Sequence, residues 1–236
     1  MLMRDPMPNV MKKYEYIGGL VWLAVYMSVL GLLIEGALLL FGVRDYSNAT
    51  LNCVYFFTCF LVTAGLFHRF LADSLPVAWQ NPGNFLKALV FGFCLYELME
   101  IALSIGLEQL WPNYTTPNDD TVSAVAGESY AVMWVGAVLL APLTEESLIR
   151  GLVFGGLRRK NRLVAYLVSS LLFALMHIID YIPDMDMADI LVNLLIYGLP
   201  GVALAACYEK ARTIWGPIAL HMIINALGMA AMNAAA

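Results

Sequence analysis

The sequence is poor in charged residues and in histidine. Only 13% of its 236 residues are Asp, Glu, Lys or Arg, whereas 61% are hydrophobic, and there are three histidines. Soluble domains carry about 25% charged and about 45–50% apolar residues, and a soluble fold of this size could not hide so much apolar surface. The scarcity of charge therefore excludes disorder and almost any water-soluble globule. It indicates a protein whose solvent is lipid.

Basic residues are also in the minority, with 13 Lys plus Arg against 18 Asp plus Glu and a net charge of −5. This balance argues against a nucleic-acid partner and against a general attraction to anionic headgroups. Cysteine is scarce as well, and all four cysteines lie inside or beside apolar stretches. We interpret them as buried thiols rather than a disulfide framework: Cys53, Cys59, Cys94 and Cys207.

Seven apolar stretches are long enough for membrane-spanning helices, which need about 20 residues each. Their continuous apolar character favours helices over the alternating strands of a membrane barrel. We therefore predict an all-α, polytopic membrane helix bundle with seven transmembrane helices and the lipid bilayer as its surroundings. The predicted spans are Ile17–Val43, Leu51–Phe70, Phe85–Leu110, Tyr130–Leu157, Leu163–Ile182, Ile190–Cys207 and Ile214–Met232.

The basic residues fall in alternate connections between these stretches. Eleven of the 13 do so: Arg4, Lys12, Lys13, Arg69, Lys87, Arg158, Arg159, Lys160, Arg162, Lys210 and Arg212. The opposite connections hold acidic residues instead, in two predicted outer loops near residues 119–128 and 180–189. Because Lys and Arg are enriched in cytoplasmic loops, we expect a multi-pass protein of the cell membrane with a cytoplasmic N-terminus.

Ionisable residues within the predicted spans need a reason, because each costs about 2.5–3.5 kcal/mol at the centre of a membrane helix. The densest cluster contains Glu145, Glu146 and Arg150. At about 100° per residue, Arg150 lies one turn from Glu146 on nearly the same helix face, which predicts an ion pair. Glu145 points elsewhere without a basic neighbour, as suits a general base or acid. Pro142 predicts a kink just before the two acids.

Four polar residues on three spans lie at similar predicted depths. Counted at about 1.5 Å per residue from the nearest basic flank, Glu145, His177 and Asn225 lie about 20–22 Å deep and His221 about 14 Å deep. Helix tilt covers this difference. The three spans thus present a carboxylate, two imidazoles and an amide in one layer of the bundle.

Three motifs on successive spans resemble those of the CPBP family of intramembrane proteases, also called the Abi family. This family includes CAAX proteases, among them the type II CAAX prenyl proteases, and bacteriocin-processing enzymes. The motifs are Glu145-Glu146-x-x-x-Arg150, Phe173-x-x-x-His177 and His221-x-x-x-Asn225. The resemblance covers about residues 130–230, so it implies a catalytic membrane core at 126–236. The helices of residues 1–125 keep an unassigned role. The family archetype has eight spans, so the resemblance leaves seven or eight open.

The resemblance implies endoproteolysis of a membrane-associated peptide or protein, such as a CAAX-like C-terminal tail, prenylated or not. In that scheme Glu145 and His177 would activate a water molecule, and His221 and Asn225 would stabilise the oxyanion. The Glu146–Arg150 pair would orient the helix, and Phe173 would shape the site by packing.

The sequence leaves other interpretations open. Glu145, His177 and His221 could also hold a divalent metal such as zinc with one open position, although no His-Glu-x-x-His motif occurs. A proton- or ion-coupled transporter would use the intramembrane acids, including Glu35 and Glu100. A catalytically silent immunity or scaffold protein would bind a peptide without cutting it. The presence of all three residues, Glu145, His177 and His221, favours the endopeptidase.

Overall fold

The computed structural model describes residues 10–235, and Arg4 of the predicted basic flank lies outside them. Every regular element in this range is helical, and it contains no β-strand. The predicted all-α bundle is therefore confirmed. The helices are α1 (Lys13–Ser28), α2 (Leu30–Leu40), α3 (Asn48–Leu66), α4 (His68–Gln80), α5 (Pro82–Leu110), α6 (Pro117–Arg158), α7 (Arg162–Ile178), α8 (Met187–Ala211) and α9 (Trp215–Ala235), with a 3-10 turn at Ile182–Asp184.

Five of the described helices are long and apolar enough to cross a membrane, namely α3, α5, α6, α8 and α9. Helices α1 and α2 would make a sixth span together, but they are bent by 76°. Helix α7 is apolar but has only 17 residues. Residues 10–235 thus contain five or six candidate spans, and the predicted count of seven is not confirmed. The chain is a multi-pass membrane protein.

The first predicted span, residues 17–43, is two helices rather than one. The bend falls at Val29, whose backbone leaves the helical region at φ −134° and ψ −2°. Just before it, the Ser28 hydroxyl donates a hydrogen bond to the carbonyl of Ala24 at 2.6 Å. A serine that bonds back to the preceding turn favours helix bending, and this is the physical reason for the difference.

The acidic residues predicted in a loop before the fourth span lie instead on α6, which begins at Pro117. The Thr116 hydroxyl accepts a hydrogen bond from the backbone N–H of Asp119 at 3.0 Å, and proline suits the first helical position. Asp119 and Asp120 occupy the first turn, where the helix dipole favours acidic side chains. Local capping therefore forms a helical segment ahead of the apolar stretch, and the two parts of α6 meet at a kink at Ser129, whose φ of −158° and ψ of 95° are not helical.

The predicted kink at Pro142 is not seen as a break in the backbone, because Leu140 and Ala141 keep helical dihedral angles. π-helical turns lie on both sides of the acids instead. One covers Val135–Leu140 and the other Ser147–Phe154. π-helical turns inside α-helices are frequent at functional sites. Residues 141–146 lie between the two turns and residues 147–150 begin the second turn, and all ten are buried. The motif of two acids and an arginine therefore lies in the centre of the bundle.

One end of the bundle, here called the basic end, collects the helix ends that carry Lys and Arg. The Glu209 carboxylate pairs with Arg158 at 2.8 Å and with Arg162 at 2.6 Å, which joins α6, α7 and α8. The side-chain amide of Asn84 donates to the carbonyl of Lys210 at 3.0 Å, which ties the start of α5 to the end of α8.

The other end, here called the acidic end, collects the opposite helix ends. The Tyr114 hydroxyl accepts a hydrogen bond from the Asn193 amide at 2.6 Å, and the hydroxyls of Thr116 and Tyr197 lie 2.6 Å apart. These contacts join the start of α6 to the first half of α8. The alternation of charge along the sequence thus becomes a separation of charge along the bundle axis.

The outer surface of the bundle is apolar, as expected for helices that face lipid. Leu32 and Leu40 are 70% and 90% exposed. Among the cysteines, Cys53 and Cys94 are exposed, so their predicted burial is wrong, whereas Cys59 and Cys207 are buried and all four are free thiols. The exposed thiols lie on the apolar helices α3 and α5.

Candidate active site

A cavity of about 740 Å³ lies inside the bundle and receives side chains from α1, α3 and α5 to α9. Five residues of the three motifs line it: Glu145, Phe173, His177, His221 and Asn225. Helices α6, α7 and α9 therefore bring the side chains of all three motifs to one place.

The centre of the cluster is the carboxylate of Glu145, which is 8% exposed. Its Oε2 atom lies 4.0 Å from His177 Nε2 and 3.9 Å from His221 Nε2, and it has no hydrogen-bond partner among the described residues. The Tyr26 hydroxyl of α1 approaches Oε1 at 3.5 Å. One carboxylate oxygen and two imidazole nitrogens thus converge on the same small space.

The tautomer of His177 follows from its own helix. Its Nδ1 atom lies 2.8 Å from the carbonyl oxygen of Phe173, one turn earlier. A carbonyl only accepts hydrogen bonds, so Nδ1 carries the hydrogen and a neutral ring presents the lone pair of Nε2 to Glu145. The four-residue spacing between Phe173 and His177 is therefore what orients the imidazole.

His221 is oriented by Glu146 rather than by its own helix. Its Nδ1 atom lies 2.9 Å from Glu146 Oε1, and the same oxygen accepts a hydrogen bond from the Arg150 guanidinium at 3.0 Å. The predicted Glu146–Arg150 ion pair is present, and both side chains are fully buried. The contact of Glu146 with His221 could not be predicted from the sequence. Through this contact the ion pair holds His221 with Nε2 turned towards Glu145.

Arg150 is enclosed by protein on every side. Its guanidinium donates to the carbonyl of Gly201 at 3.1 Å and lies 4.3 Å from the centre of the Phe173 ring. A side chain at position 201 would place its Cβ 3.0 Å from the Cα of Ser170, so glycine permits the close approach of α8 to α7. Phe173 thus packs between the cation and His177, whose ring centre is 4.7 Å away.

Asn225 lines the cavity, and its amide donates a hydrogen bond at 2.8 Å to the carbonyl of Ala137. Ala137 belongs to the first π-helical turn of α6, where the regular hydrogen-bond pattern is displaced. The second N–H and the oxygen of the amide remain available to a ligand. Among residues 10–235, Asn225 has no direct hydrogen bond to Glu145, His177 or His221.

The structure adds site residues that sequence reasoning missed. The Tyr197 ring stacks on His177 with ring centres 4.5 Å apart, and Asp119 and Asp180 line the outer part of the cavity. Asp180 follows His177 by three positions, so helical spacing could have placed it on the same side. Tyr197 belongs to no motif and lies on another helix, so nothing in the sequence marks it.

The predicted metal set has donors of the right chemistry but not the arrangement. In the part of the chain that the structure describes, no group of three or more His, Cys, Asp or Glu side chains could hold a metal ion. The atoms of Glu145, His177 and His221 lie close enough to share a water molecule.

The fold and the site together define a class, a multi-pass helical membrane protein with a buried Glu–His–His cluster inside a cavity. Residues 127–227 match the family described as Type II CAAX prenyl endopeptidase Rce1-like. This part of the chain is similar to the Rce1-like group, and the resemblance to the CPBP family predicted from the motifs is confirmed. Glu145, His177, His221 and Asn225 all fall within the matched range.

Two curated relatives extend the comparison. The chain is 28% identical over 185 residues to the UPF0177 protein YvdC of Lactococcus lactis, covering 76% of the chain and 66% of the relative. It is 31% identical over 153 residues to a Bacillus subtilis protein named "Putative membrane peptidase YdiL", covering 64% of the chain and 54% of the relative. The chain thus spans between half and two thirds of these relatives. No solved structure matches it significantly.

Proposed function

We propose that this protein is a membrane endopeptidase that hydrolyses a peptide bond of a membrane-associated peptide or of a CAAX-like C-terminal tail. The observation that carries the proposal is the convergence of His177 Nε2 and His221 Nε2 on Glu145 Oε2, at 4.0 and 3.9 Å, inside a cavity. The family of residues 127–227 supports the same chemistry.

In the proposed reaction a water molecule occupies the space between Glu145 and His177. The Glu145 carboxylate takes a proton from the water while the oxygen of the water attacks the scissile carbonyl. The proton then passes from Glu145 to the leaving amine. His177 accepts the second hydrogen bond of the water through Nε2 and so fixes its direction of attack.

Oxyanion stabilisation is the proposed role of His221 and Asn225. The protonated form of His221 donates from Nε2 to the oxyanion while its Nδ1 stays bonded to Glu146. The free N–H of the Asn225 amide is the second donor. Donors held in place before the reaction stabilise developing charge without reorganisation, and the bonds to Glu146 and Ala137 hold these two.

The test is cleavage of a peptide panel, containing prenylated and unprenylated tails, by the purified protein in nanodiscs. We expect cleavage that Glu145→Ala reduces by at least about 100-fold, because general-base catalysis contributes factors of this size. Thermal unfolding of the variant should remain close to that of the unsubstituted protein. A folded, fully active Glu145→Ala variant would disprove the assignment of the base.

Repeating the cleavage assay with a metal chelator distinguishes direct activation of water by Glu145 from metal-dependent hydrolysis at this site. Under the proposed mechanism, cleavage persists in the chelator, because Glu145 activates water directly. Loss of activity that added zinc restores would instead assign Glu145, His177 and His221 to a metal. Failure of the folded protein to cut any peptide would favour an immunity or scaffold role.

A further inference from the structure

The acidic groups of the cavity outnumber its basic groups. In the part of the chain that the structure describes, four carboxylates line it and no Lys or Arg does, so that the imidazoles of His177 and His221 are its basic groups. The carboxylates are Glu100, Asp119, Glu145 and Asp180. Asp119 and Asp180 are exposed near the acidic end, Glu100 is half-buried and Glu145 is buried. The acidic groups therefore extend from the outer part of the cavity inwards to the reacting carboxylate.

Among residues 10–235, these carboxylates have no Lys or Arg partner, and the basic groups that approach Glu145 are the imidazoles of His177 and His221, at 4.0 and 3.9 Å. Among residues 10–235, neither Glu100, Asp119 nor Asp180 forms an ion pair with Lys or Arg. Glu145 lines the cavity, and its buried Oε2 has no hydrogen-bond partner among the described residues. Arg150 is fully buried and paired with Glu146. The negative potential of the cavity is therefore left for a ligand to neutralise.

The remaining lining also suits a cation. Five tyrosines face the cavity, and aromatic faces attract ammonium and guanidinium groups: Tyr26, Tyr55, Tyr96, Tyr181 and Tyr197. The volume of about 740 Å³ lies within the range of ligand pockets. A lysine or arginine side chain beside a peptide bond fits both the charge and the aromatic surface.

We propose that the substrate segment is cationic, with Lys or Arg close to the scissile bond, and that it enters from the acidic end of the bundle. This inference rests on the proposed function, because it names the substrate class of the same site. Asp119 and Asp180 attract the basic side chains, and Glu100 holds one of them further inside. Clefts lined by one sign of charge concentrate ligands of the opposite sign.

The experiment compares three peptides that differ only at one residue beside the scissile bond, Lys, Gln or Glu, in nanodiscs of zwitterionic lipid. The parent is the best-cleaved peptide of the panel. We expect kcat/KM to be at least about tenfold higher for Lys than for Glu at low salt, with Gln between them. The ratio should fall as salt is added, since screening acts over about 8 Å at physiological ionic strength.

A matched pair of variants assigns this preference to the cavity. The double variant Asp119→Asn/Asp180→Asn should reduce the Lys-to-Glu ratio to below about threefold. Asp184→Asn is the control, because Asp184 is an exposed acid of the same end that does not line the cavity, and it should leave the ratio unchanged. Equal rates for all three peptides, or a preference that survives the double variant, would overturn the inference.

Binding keeps this inference separate from the proposed function. Anisotropy of the same peptides, labelled with a fluorophore, is measured on the inactive His177→Ala variant. If binding is charge-selective but the unsubstituted protein cleaves no peptide, the cationic ligand is supported and the peptidase activity is refuted. Cleavage without any charge preference, in binding or in rate, would retain the peptidase and remove the cationic ligand.

Discussion

The Tyr197 ring lies flat against the imidazole of His177, with centroids 4.5 Å and planes 15° apart. Phe173 contacts the same imidazole at 4.7 Å, so aromatic rings from α7 and α8 confine it. The hydroxyl of Tyr197 is held in turn by Thr116 at 2.6 Å and approaches Asp119 at 3.5 Å. Tyr197 thus connects the orientation of His177 to the start of α6.

From these contacts we predict that Tyr197 is a positioning residue and that its ring matters more than its hydroxyl. Tyr197→Ala should reduce kcat by about tenfold or more, because supporting residues contribute factors of this size, while Tyr197→Phe keeps the stack and should retain activity within about threefold. The pH profile of kcat is the decisive measurement, since loss of the stack changes the surroundings of His177. An unchanged kcat and pH profile in Tyr197→Ala would contradict this role.

The Glu146–Arg150 pair predicts a large loss of stability when it is broken. Glu146→Ala leaves the arginine buried without its carboxylate, which costs about 3–5 kcal/mol for a buried pair. The melting temperature of the purified protein should fall clearly. Replacing both residues, as Glu146→Ala/Arg150→Met, should recover part of the loss because no uncompensated charge remains. A normal melting temperature for Glu146→Ala would refute this account.

Two glycines of α8 make a matched pair for the contact with α7. Gly201→Val should destabilise the protein by about 1–3 kcal/mol, because its Cβ would lie 3.0 Å from Ser170 Cα and its carbonyl would shift away from Arg150. Gly198→Ala is the control, since no atom lies within 4 Å of the added Cβ and alanine favours the helix by up to about 1 kcal/mol. Equal unfolding temperatures for the two variants would argue against tight packing at Gly201.

Orientation in the membrane is a further prediction, made from the position of the basic residues. In a cysteine-free variant, Lys160→Cys at the basic end should react with a membrane-impermeant maleimide only from the cytoplasmic side. Asp184→Cys at the acidic end should react only from the outside. Labelling of intact cells and of inverted vesicles distinguishes these sides. The reverse labelling pattern would contradict the predicted orientation, because it would place the cavity entrance on the cytoplasmic side and the N-terminus outside.

Much of the fold could be predicted because a membrane helix depends mainly on the residues of its own segment. A run of apolar residues identifies a helix without reference to the rest of the chain, and each predicted stretch is helical over most of its length. The differences arise where polar side chains act on the backbone. Ser28 bends the first stretch, and Thr116 caps a helix whose first turns are acidic. Hydropathy does not report such hydrogen bonds.

Contacts within a single helix could be predicted from the spacing of residues along the chain. The four-residue spacing puts Arg150 on Glu146 and turns His177 onto the carbonyl of Phe173, because residues one turn apart always face each other. It also determined that His221 and Asn225 share a face of α9.

The rotation of these helices and their packing against one another follow from contacts between helices, which the spacing within one helix does not specify. Packing brings His221 to Glu146, Tyr197 to His177 and Asp119 to the cavity. Such contacts depend on close approaches between helices, as at Gly201, which no periodicity within one helix specifies. The residues proposed to react, and the contact of His177 with Phe173, could therefore be predicted from the sequence. The contacts of His221 with Glu146 and of His177 with Tyr197, and the acidic lining of the cavity, could not.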